Sequence, residues 1–124
     1  MIIRKVLIVD DDPVVRHILH SALRAEGFVT IIAADAMGAL SLARTQQPDL
    51  ILLDLGLPAG GGLLFLQRLR QFPRLSLIPV IVISGLEQAV HQDRALLAGA
   101  TAYLPKPVQH EEVMATVHRV LAAA

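Results

Sequence analysis

Aspartates dominate the residues of this chain whose types and spacing suit them to chemistry. Asp10 and Asp11 directly follow one apolar run, and Asp54 follows another, residues 50–53. Three carboxylates in one cleft form a hard oxygen ligand set, which favours Mg²⁺ over softer metals. An aspartate is also a nucleophile that can form an aspartyl phosphate. These residue types therefore suggest metal-assisted phosphoryl transfer, provided that the fold brings them together.

A serine and a lysine supply the other groups that such a reaction needs. Ser84 ends a further apolar run, and Lys106 follows a short one near the C-terminus. A lysine is a cationic partner for an incoming phosphoryl group, and a hydroxyl donates a hydrogen bond to its oxygens. Taken alone, Asp54 reads as an aspartate that merely turns the chain. The functional hypothesis therefore depends on convergence of all these side chains.

Five strands alternating with five helices are predicted to position these side chains. Short apolar runs between turn residues indicate strands buried on both faces, and apolar residues at helical spacing indicate the helices. The predicted strands cover residues 6–9, 28–33, 50–53, 79–83 and 102–104. The predicted helices cover residues 13–26, 36–46, 63–72, 87–98 and 111–122, with residues 59–62 as a loop.

This alternation predicts an α/β fold with a parallel sheet covered by helices on both faces. The carboxyl ends of parallel strands meet at one edge, where such folds bind their ligands. In the third helix, Leu63, Leu66 and Leu69 are predicted to face inward, and Arg68 and Arg70 outward. The polar residues that follow the strands are thus expected to meet.

Length and composition exclude several classes of protein. The chain has 124 residues, enough for one domain with one core. Lys+Arg and Asp+Glu both number 11, so net charge indicates no attraction to nucleic acid or membranes. With no cysteine there is neither a disulfide framework nor a thiolate metal site. No apolar run reaches membrane-spanning length. A soluble cytoplasmic protein that contacts neither nucleic acid nor membrane is expected.

Four segments in order carry a resemblance to a known family. They are residues 7–13, residues 48–54 with Pro58 and Gly62, residues 79–85, and residues 99–107. Over essentially its whole length the chain resembles the receiver domains of two-component response regulators, the CheY-like superfamily. The resemblance implies a flavodoxin-like (βα)5 three-layer sandwich with a five-stranded parallel sheet of order 2-1-3-4-5. Residues 1–124 would be a single receiver domain without an output domain.

The resemblance also implies roles for the acidic residues. Asp54 matches the phosphoacceptor, and Asp10 and Asp11 match the acidic pair around a Mg²⁺ or Mn²⁺ ion. Asp11 is expected to be the direct ligand of this pair, and Asp54 also contacts the ion. Gly56 matches the residue whose backbone carbonyl coordinates the metal. The expected metal site therefore comprises these four residues.

Further positions match the residues that assist the reaction and transmit it. Lys106 matches the lysine that pairs with the phosphoryl group, through a cis bond to Pro107. Ser84 matches the switch hydroxyl, and Tyr103 the aromatic ring that turns inward with it. Gly56 and Leu86 match the positions beside the path of the hydrolytic water. Neither can orient that water, which predicts a long-lived phosphoprotein.

The implied function is a phosphorylation switch. A phosphoryl group would come from the phosphohistidine of a histidine kinase or histidine phosphotransfer domain. The signal would leave through the fourth helix, fifth strand and fifth helix, around Val90, Arg94, Tyr103 and Val113, to a partner or output domain. The residues at 101 and 102 replace two acids of dimerising relatives, so a monomer or weak dimer is expected. The only reactions expected are phosphoryl transfer to Asp54 and its hydrolysis, so the chain is not an enzyme in the usual sense.

Two alternatives from other classes stay open at this point. A phosphatase of the haloacid-dehalogenase type uses an Asp-x-Asp pair, which Asp10 and Asp12 satisfy formally, but this assignment leaves Asp54 without a role. An interaction module that has lost phosphorylation is the other alternative. The complete set of site residues argues against it.

Overall fold

A parallel sheet lies at the centre of the computed structural model, which describes residues 3–123. Within these residues five strands pair in the order β2-β1-β3-β4-β5, so the predicted strand order is confirmed. Every neighbouring pair is parallel. The strands are β1 Lys5–Val9, β2 Val29–Ala33, β3 Leu50–Leu53, β4 Val80–Ser84 and β5 Ala102–Pro105.

Five α-helices connect or follow the strands within residues 3–123. They are α1 Pro13–Ala25, α2 Ala36–Gln46, α3 Gly61–Gln71, α4 Gln88–Leu97 and α5 His110–Ala123. Local capping explains two of the starts, because Asp12 accepts from the Val14 N–H at 2.9 Å and Asp35 from the Gly38 N–H at 2.7 Å. None of these helices has the length and apolar character that a membrane crossing requires.

An apolar core lies on each face of the sheet, between the sheet and a layer of helices. Side chains alternate along a strand. On β1, Leu7 and Val9 join the core with α2, α3 and α4, whereas Val6 and Ile8 join the core with α1 and α5. All four residues of the central strand β3 are buried. Burial on both faces explains its uniformly apolar sequence and fixes the backbone that leads into Asp54.

Helix α3 begins two residues earlier than predicted, since Gly61 and Gly62 form its first turn. The predicted loop shortens to a turn at Pro58–Gly60. A Cβ atom on Gly62 would lie 2.6 Å from the Leu55 Cα and 2.7 Å from the Asp54 carbonyl oxygen. Glycine therefore lets the helix start directly against the segment that carries Asp54.

The prediction that Arg70 faces outward is wrong. Its Nη1 donates to the carbonyls of Ser76 (2.9 Å) and Ile78 (2.8 Å), and its Nη2 donates to that of Gly99 (2.6 Å). Burial lowers the pKa of Arg70. These contacts tie the end of α3 to the turn before β5. Arg68 is exposed, as predicted.

Candidate functional site

Four predicted site residues meet at the carboxyl edge of the sheet. Asp10 follows β1, Asp54 follows β3, Ser84 ends β4 and Lys106 follows β5. The backbone continues the strand pairing at these positions, because the Asp54 N–H donates to the Val9 carbonyl at 2.8 Å and the Lys106 N–H to that of Ser84 at 2.7 Å. The topology thus produces the convergence that the sequence predicts.

The predicted acidic residues form a cluster at this edge. One oxygen from each of Asp10, Asp11 and Asp54 lies within 4.8 Å of the other two. Asp10 and Asp54 are buried, whereas Asp11 is exposed. Oxygen donors grouped in this way fit a Mg²⁺ or Mn²⁺ ion that keeps several waters. Gly56 adjoins the cluster, since its N–H donates to Asp54 Oδ1 at 2.9 Å; its carbonyl stays a predicted ligand.

Lys106 supplies the positive charge opposite these acids. Its Nζ lies 3.2 Å from Asp10 Oδ2 and 3.7 Å from Asp54 Oδ2. The Lys106–Pro107 bond is cis, as the resemblance implies. The lysine therefore lies within reach of the carboxylate that is predicted to accept the phosphoryl group.

The environment of Asp54 disfavours its charged form. Burial raises the pKa of Asp54 and is the largest effect. The Gly56 N–H lowers that pKa, the Asp10 charge raises it, Lys106 lowers it and Asp11 raises it. A bound cation would offset both the burial and the repulsion between the acids. The site thus brings the predicted phosphoacceptor, the acidic cluster and Lys106 together.

Ser84 and Tyr103 share one face of the sheet. Tyr103 pairs with Val82 across the parallel strands, and Ser84 lies two residues beyond Val82 on the same face. Ser84 is fully buried at 0% exposure, and its Oγ accepts from the Leu86 N–H at 3.0 Å. The Tyr103 ring is buried, and within residues 3–123 its hydroxyl has no hydrogen-bond partner. The two side chains lie where the resemblance expects the switch pair.

Asp12 and Arg16 lie at the start of the first helix, and Asp12 caps that helix as its position before Pro13 predicts. Asp12 caps α1 and lies outside the acidic cluster, which weakens the Asp10 and Asp12 pairing of a phosphatase. Arg16, which the sequence analysis did not select, donates from Nη1 to the Asp10 carbonyl at 2.9 Å. Side chains on a helix lean toward its N-terminus, and α1 starts just after the acids. This direction of helix side chains could have predicted that Arg16 reaches back to Asp10.

A family model and several curated proteins match this chain over most of its length. The family model described as response regulator receiver domain matches residues 6–118. The KDP operon transcriptional regulatory protein KdpE of Escherichia coli is 41% identical over 94% of this chain and 50% of its own length. Protein PilH of Pseudomonas aeruginosa is 32% identical over 95% of this chain and 98% of its own length.

Solved structures show the same architecture. A CheY-like response regulator receiver domain protein from Methanospirillum hungatei superposes with a TM-score of 0.91 at 27% identity, covering 98% of this chain and 96% of that one. The receiver domain of the sensor histidine kinase PA1611 from Pseudomonas aeruginosa has a TM-score of 0.88 at 26% identity, covering 98% and 99%. That structure has a magnesium ion coordinated in its active site cleft.

The match extends over nearly all of this chain but not over all of its relatives. The chain spans about half the length of the first curated relatives it matches, for example 50% of KdpE and 48% of the transcriptional regulator RpaA of Synechocystis. On the family match and the strand order, this chain belongs to the response regulator receiver domain family of two-component systems.

Proposed function

We propose that Asp54 accepts a phosphoryl group from the phosphohistidine of a histidine kinase or histidine phosphotransfer domain, with Mg²⁺ bound beside it. The observation that carries this proposal is the placement of Lys106. Its Nζ lies within 4 Å of both Asp10 and Asp54, and Asp11 completes a three-oxygen cluster. The arrangement offers a nucleophile, a cation site and a phosphate partner in one place.

In this reaction the P–N bond of the phosphohistidine breaks and a P–O bond to Asp54 forms. The imidazole nitrogen retains the electron pair of the broken bond. When bound at Asp10, Asp11, Asp54 and the Gly56 carbonyl, Mg²⁺ supplies charge neutralisation for the phosphoryl oxygens. Lys106 leaves its contact with Asp10 and pairs with the phosphoryl group, which has the larger negative charge. The carboxylate must be ionised to attack, and both cations favour that form.

Ser84 and Tyr103 transmit the change. The Ser84 hydroxyl donates to a phosphoryl oxygen and withdraws from its contact with the Leu86 N–H. Leu86 lies in the segment between β4 and α4, two residues before α4 begins. Tyr103 is already buried on the same face of the sheet. The Tyr103 ring keeps its buried position only while the Ser84 side chain leaves room for it on that face of the sheet. The equilibrium between two arrangements of this region is what phosphorylation biases.

The output surface consists of α4, β5 and α5, and its exposed part differs from the sequence-based description. Val90 and Arg94 are exposed on α4. Val113 is only 2% exposed and packs in the core with α1, and Tyr103 is buried in the other core. These two residues lie beneath the surface and act by moving it. Receiver domains interact with histidine kinases and with output domains, and this surface is the one a downstream partner would contact.

Acetyl phosphate with Mg²⁺ tests the acceptor directly. Intact-protein mass should increase by one phosphoryl group, and Asp54→Asn should abolish the increase. Chelation of Mg²⁺ with EDTA should also prevent it, because repulsion within the acidic cluster opposes an approaching dianion. Asp93→Asn, at an exposed position on α4, is the matched control and should be phosphorylated like the parent. Phosphorylation that persists in Asp54→Asn would transfer the assignment to another acid.

Beryllofluoride, a phosphoryl mimic, tests the output surface. Amide chemical shifts should change most at the site, in α4 and in β5, including Val90 and Arg94. Ser84→Ala should retain the changes at Asp54 and lose most of those in α4. Changes confined to α1 and α2 would contradict the proposed output surface while leaving the acceptor assignment intact.

A further inference from the structure

A cavity of about 500 Å³ opens between the C-terminal ends of α2 and α3. It lies at the amino edge of the sheet, because β3 starts soon after α2 ends, whereas Asp54 follows the far end of β3. Its volume falls in the range of about 300–1,000 Å³ typical of small-molecule sites. Its lining includes Ser41, Arg44, Thr45, Gln47, Phe72 and Arg74 and contains no carboxylate.

The two arginines of this cavity are not neutralised by ion pairs. Within residues 3–123 the ion pairs involve Lys106 and His118, and neither Arg44 nor Arg74. A cation in the last turn of a helix also interacts favourably with the helix dipole, which is the simplest explanation for Arg44. The position of Arg44 also places it against an aromatic ring. The Arg44 guanidinium lies over the ring of Phe72, 5.2 Å from the ring centroid, and so bridges α2 to the end of α3.

Arg74 is not explained by the helix dipole. It lies three residues beyond Gln71, where α3 ends, and it is exposed. Together with Arg44 it gives the cavity two positive charges beside an aromatic ring. The hydroxyls of Ser41 and Thr45 add polar groups at the rim; Thr45 donates to the Ser41 carbonyl at 3.0 Å, which leaves its oxygen lone pairs available to accept.

We infer that this cavity binds a nucleotide. The flat Arg44 guanidinium, supported underneath by Phe72, offers its outer face to a base, because guanidinium planes stack on aromatic rings. Arg74 pairs with the phosphate, and arginine is well suited to phosphate oxygens. The hydroxyl and amide groups at the rim accept from or donate to the sugar and the base edge. A ligand held this way joins α2 to α3 at a place that phosphoryl transfer does not use.

Titration of the full chain with guanosine monophosphate, followed by amide chemical shifts, tests this inference. Shifts should appear at residues 41–47 and 72–75. Guanosine and inorganic phosphate, titrated separately, should each bind at least about tenfold more weakly, because each supplies only part of the recognition. Arg44→Met and Arg74→Met should each weaken nucleotide binding about tenfold. Arg68→Met is the matched control, since Arg68 is exposed on α3 but does not line the cavity.

A second variant separates stacking from charge. Arg44→Lys keeps the charge and loses the planar face, so it should bind inorganic phosphate like the parent and lose the preference for the nucleotide. Three results would overturn the inference. They are an absence of shifts at these residues at millimolar nucleotide, phosphate binding as tight as nucleotide binding, and equal weakening by Arg68→Met, which would indicate non-specific attraction to a basic surface.

Discussion

Lys106 Nζ lies closer to Asp10, at 3.2 Å, than to Asp54, at 3.7 Å. The lysine therefore compensates the negative charge of Asp10 at least as much as that of Asp54. A Mg²⁺ ion at Asp10, Asp11 and Asp54 would place a second positive charge near the same carboxylates. The lysine and a bound ion would therefore repel each other in the unphosphorylated protein, and a phosphoryl group between them would offset that repulsion.

Lys106→Met should bind Mg²⁺ more tightly than the parent. Loss of one positive charge next to Asp10 removes a repulsion of about 1 kcal/mol, which corresponds to roughly fivefold in affinity. The same variant should be phosphorylated more slowly by acetyl phosphate, because the phosphoryl group loses a cationic partner. Calorimetric titration with Mg²⁺ measures the first effect.

Lys5→Met is the control for this pair of measurements. Lys5 lies at the opposite edge of the sheet, where its Nζ donates to the Gln46 carbonyl at 3.2 Å. Its Mg²⁺ affinity and phosphorylation rate should equal those of the parent. A Lys106→Met protein that binds Mg²⁺ more weakly would show that the lysine orders the cluster rather than repels the ion.

Asp54→Asn should stabilise the metal-free protein at neutral pH. The folded-state pKa of Asp54 is raised above its ordinary value of 3.8, chiefly by burial. For a raised pKa, the stabilising contribution is complete below the unfolded value and is lost as the pH rises through the folded value. The ionised parent is therefore destabilised at pH 7 relative to the asparagine variant. The difference in free energy of unfolding between the two proteins should narrow as the pH falls toward 3.8.

Urea unfolding in EDTA between pH 4.5 and pH 8 measures this difference. Mg²⁺ should stabilise the parent and have a smaller effect on Asp54→Asn, because the variant loses one charged ligand. Asp93→Asn, at an exposed position, should show no such pH-dependent gain. A metal-free Asp54→Asn protein that is less stable than the parent at pH 7 would contradict this prediction. It would show that neighbouring groups stabilise the ionised Asp54 carboxylate by more than burial destabilises it.

Sequence patterns predict this fold well because hydrophobic periodicity and topology agree. The apolar run before Asp54 is long enough for a strand and too short for a helix, and parallel strands then place Asp10 and Lys106 at one edge. The direction of Arg70 was not predictable from helical spacing. Its guanidinium binds carbonyls of the loop that follows α3 and the carbonyl of Gly99, which is distant in sequence, and such tertiary contacts leave no local pattern. The same applies to the contact between Arg44 and Phe72.

Arg70→Met should lower the free energy of unfolding by about 1.5–3 kcal/mol, since it removes charge-assisted hydrogen bonds to partly buried carbonyls. Denaturant unfolding measures the loss, and Arg68→Met is the control, with an expected change under about 0.5 kcal/mol. Gly99→Ala should also destabilise, because Gly99 has a φ of +107° and a Cβ there would lie 2.6 Å from Arg70 Nε. In the Arg70→Met background Gly99→Ala should cost less, because the closest contact, with Nε, is lost, whereas the contacts near the Cγ and Cδ positions and the backbone strain remain. Additive losses would show that the two residues do not interact.

Gly62→Ala and Gly61→Ala should have opposite effects. A Cβ on Gly62 would lie 2.6–2.7 Å from backbone atoms of Leu55 and Asp54, which cannot move without shifting the site. Gly62→Ala should therefore lower both stability and the rate of phosphorylation. A Cβ on Gly61 would meet only side-chain carbons at 3.5 Å, in a helical conformation. Gly61→Ala should stabilise by about 0.4–1 kcal/mol. Thermal unfolding and acetyl phosphate kinetics measure both variants; equal effects would contradict the close backbone approach.

Phosphorylated Asp54 should hydrolyse slowly, because the residues that flank it cannot orient a water molecule. A Cβ on Gly56 would lie 3.3 Å from Asp54 Oδ1 and 3.8 Å from the Leu86 Cγ, so the two positions face each other beside the acceptor. Gly56 has no side chain, and Leu86, although 38% exposed, has no polar group. The in-line attack of water on the phosphoryl group requires a positioned nucleophile.

Gly56→Asn/Leu86→Glu introduces an amide and a carboxylate at these two positions and should shorten the phosphoprotein lifetime. An amide and a carboxylate can together hold a water by two hydrogen bonds, and positioning of this kind commonly contributes about 10²-fold or more in rate. Decay of the phosphorylated protein, followed by intact mass after removal of acetyl phosphate, measures the effect. Leu97→Glu, at an exposed position on α4, is the control for added charge and should decay like the parent. A double variant that decays no faster than the parent would show that water already reaches the phosphoryl group through the open space at Gly56.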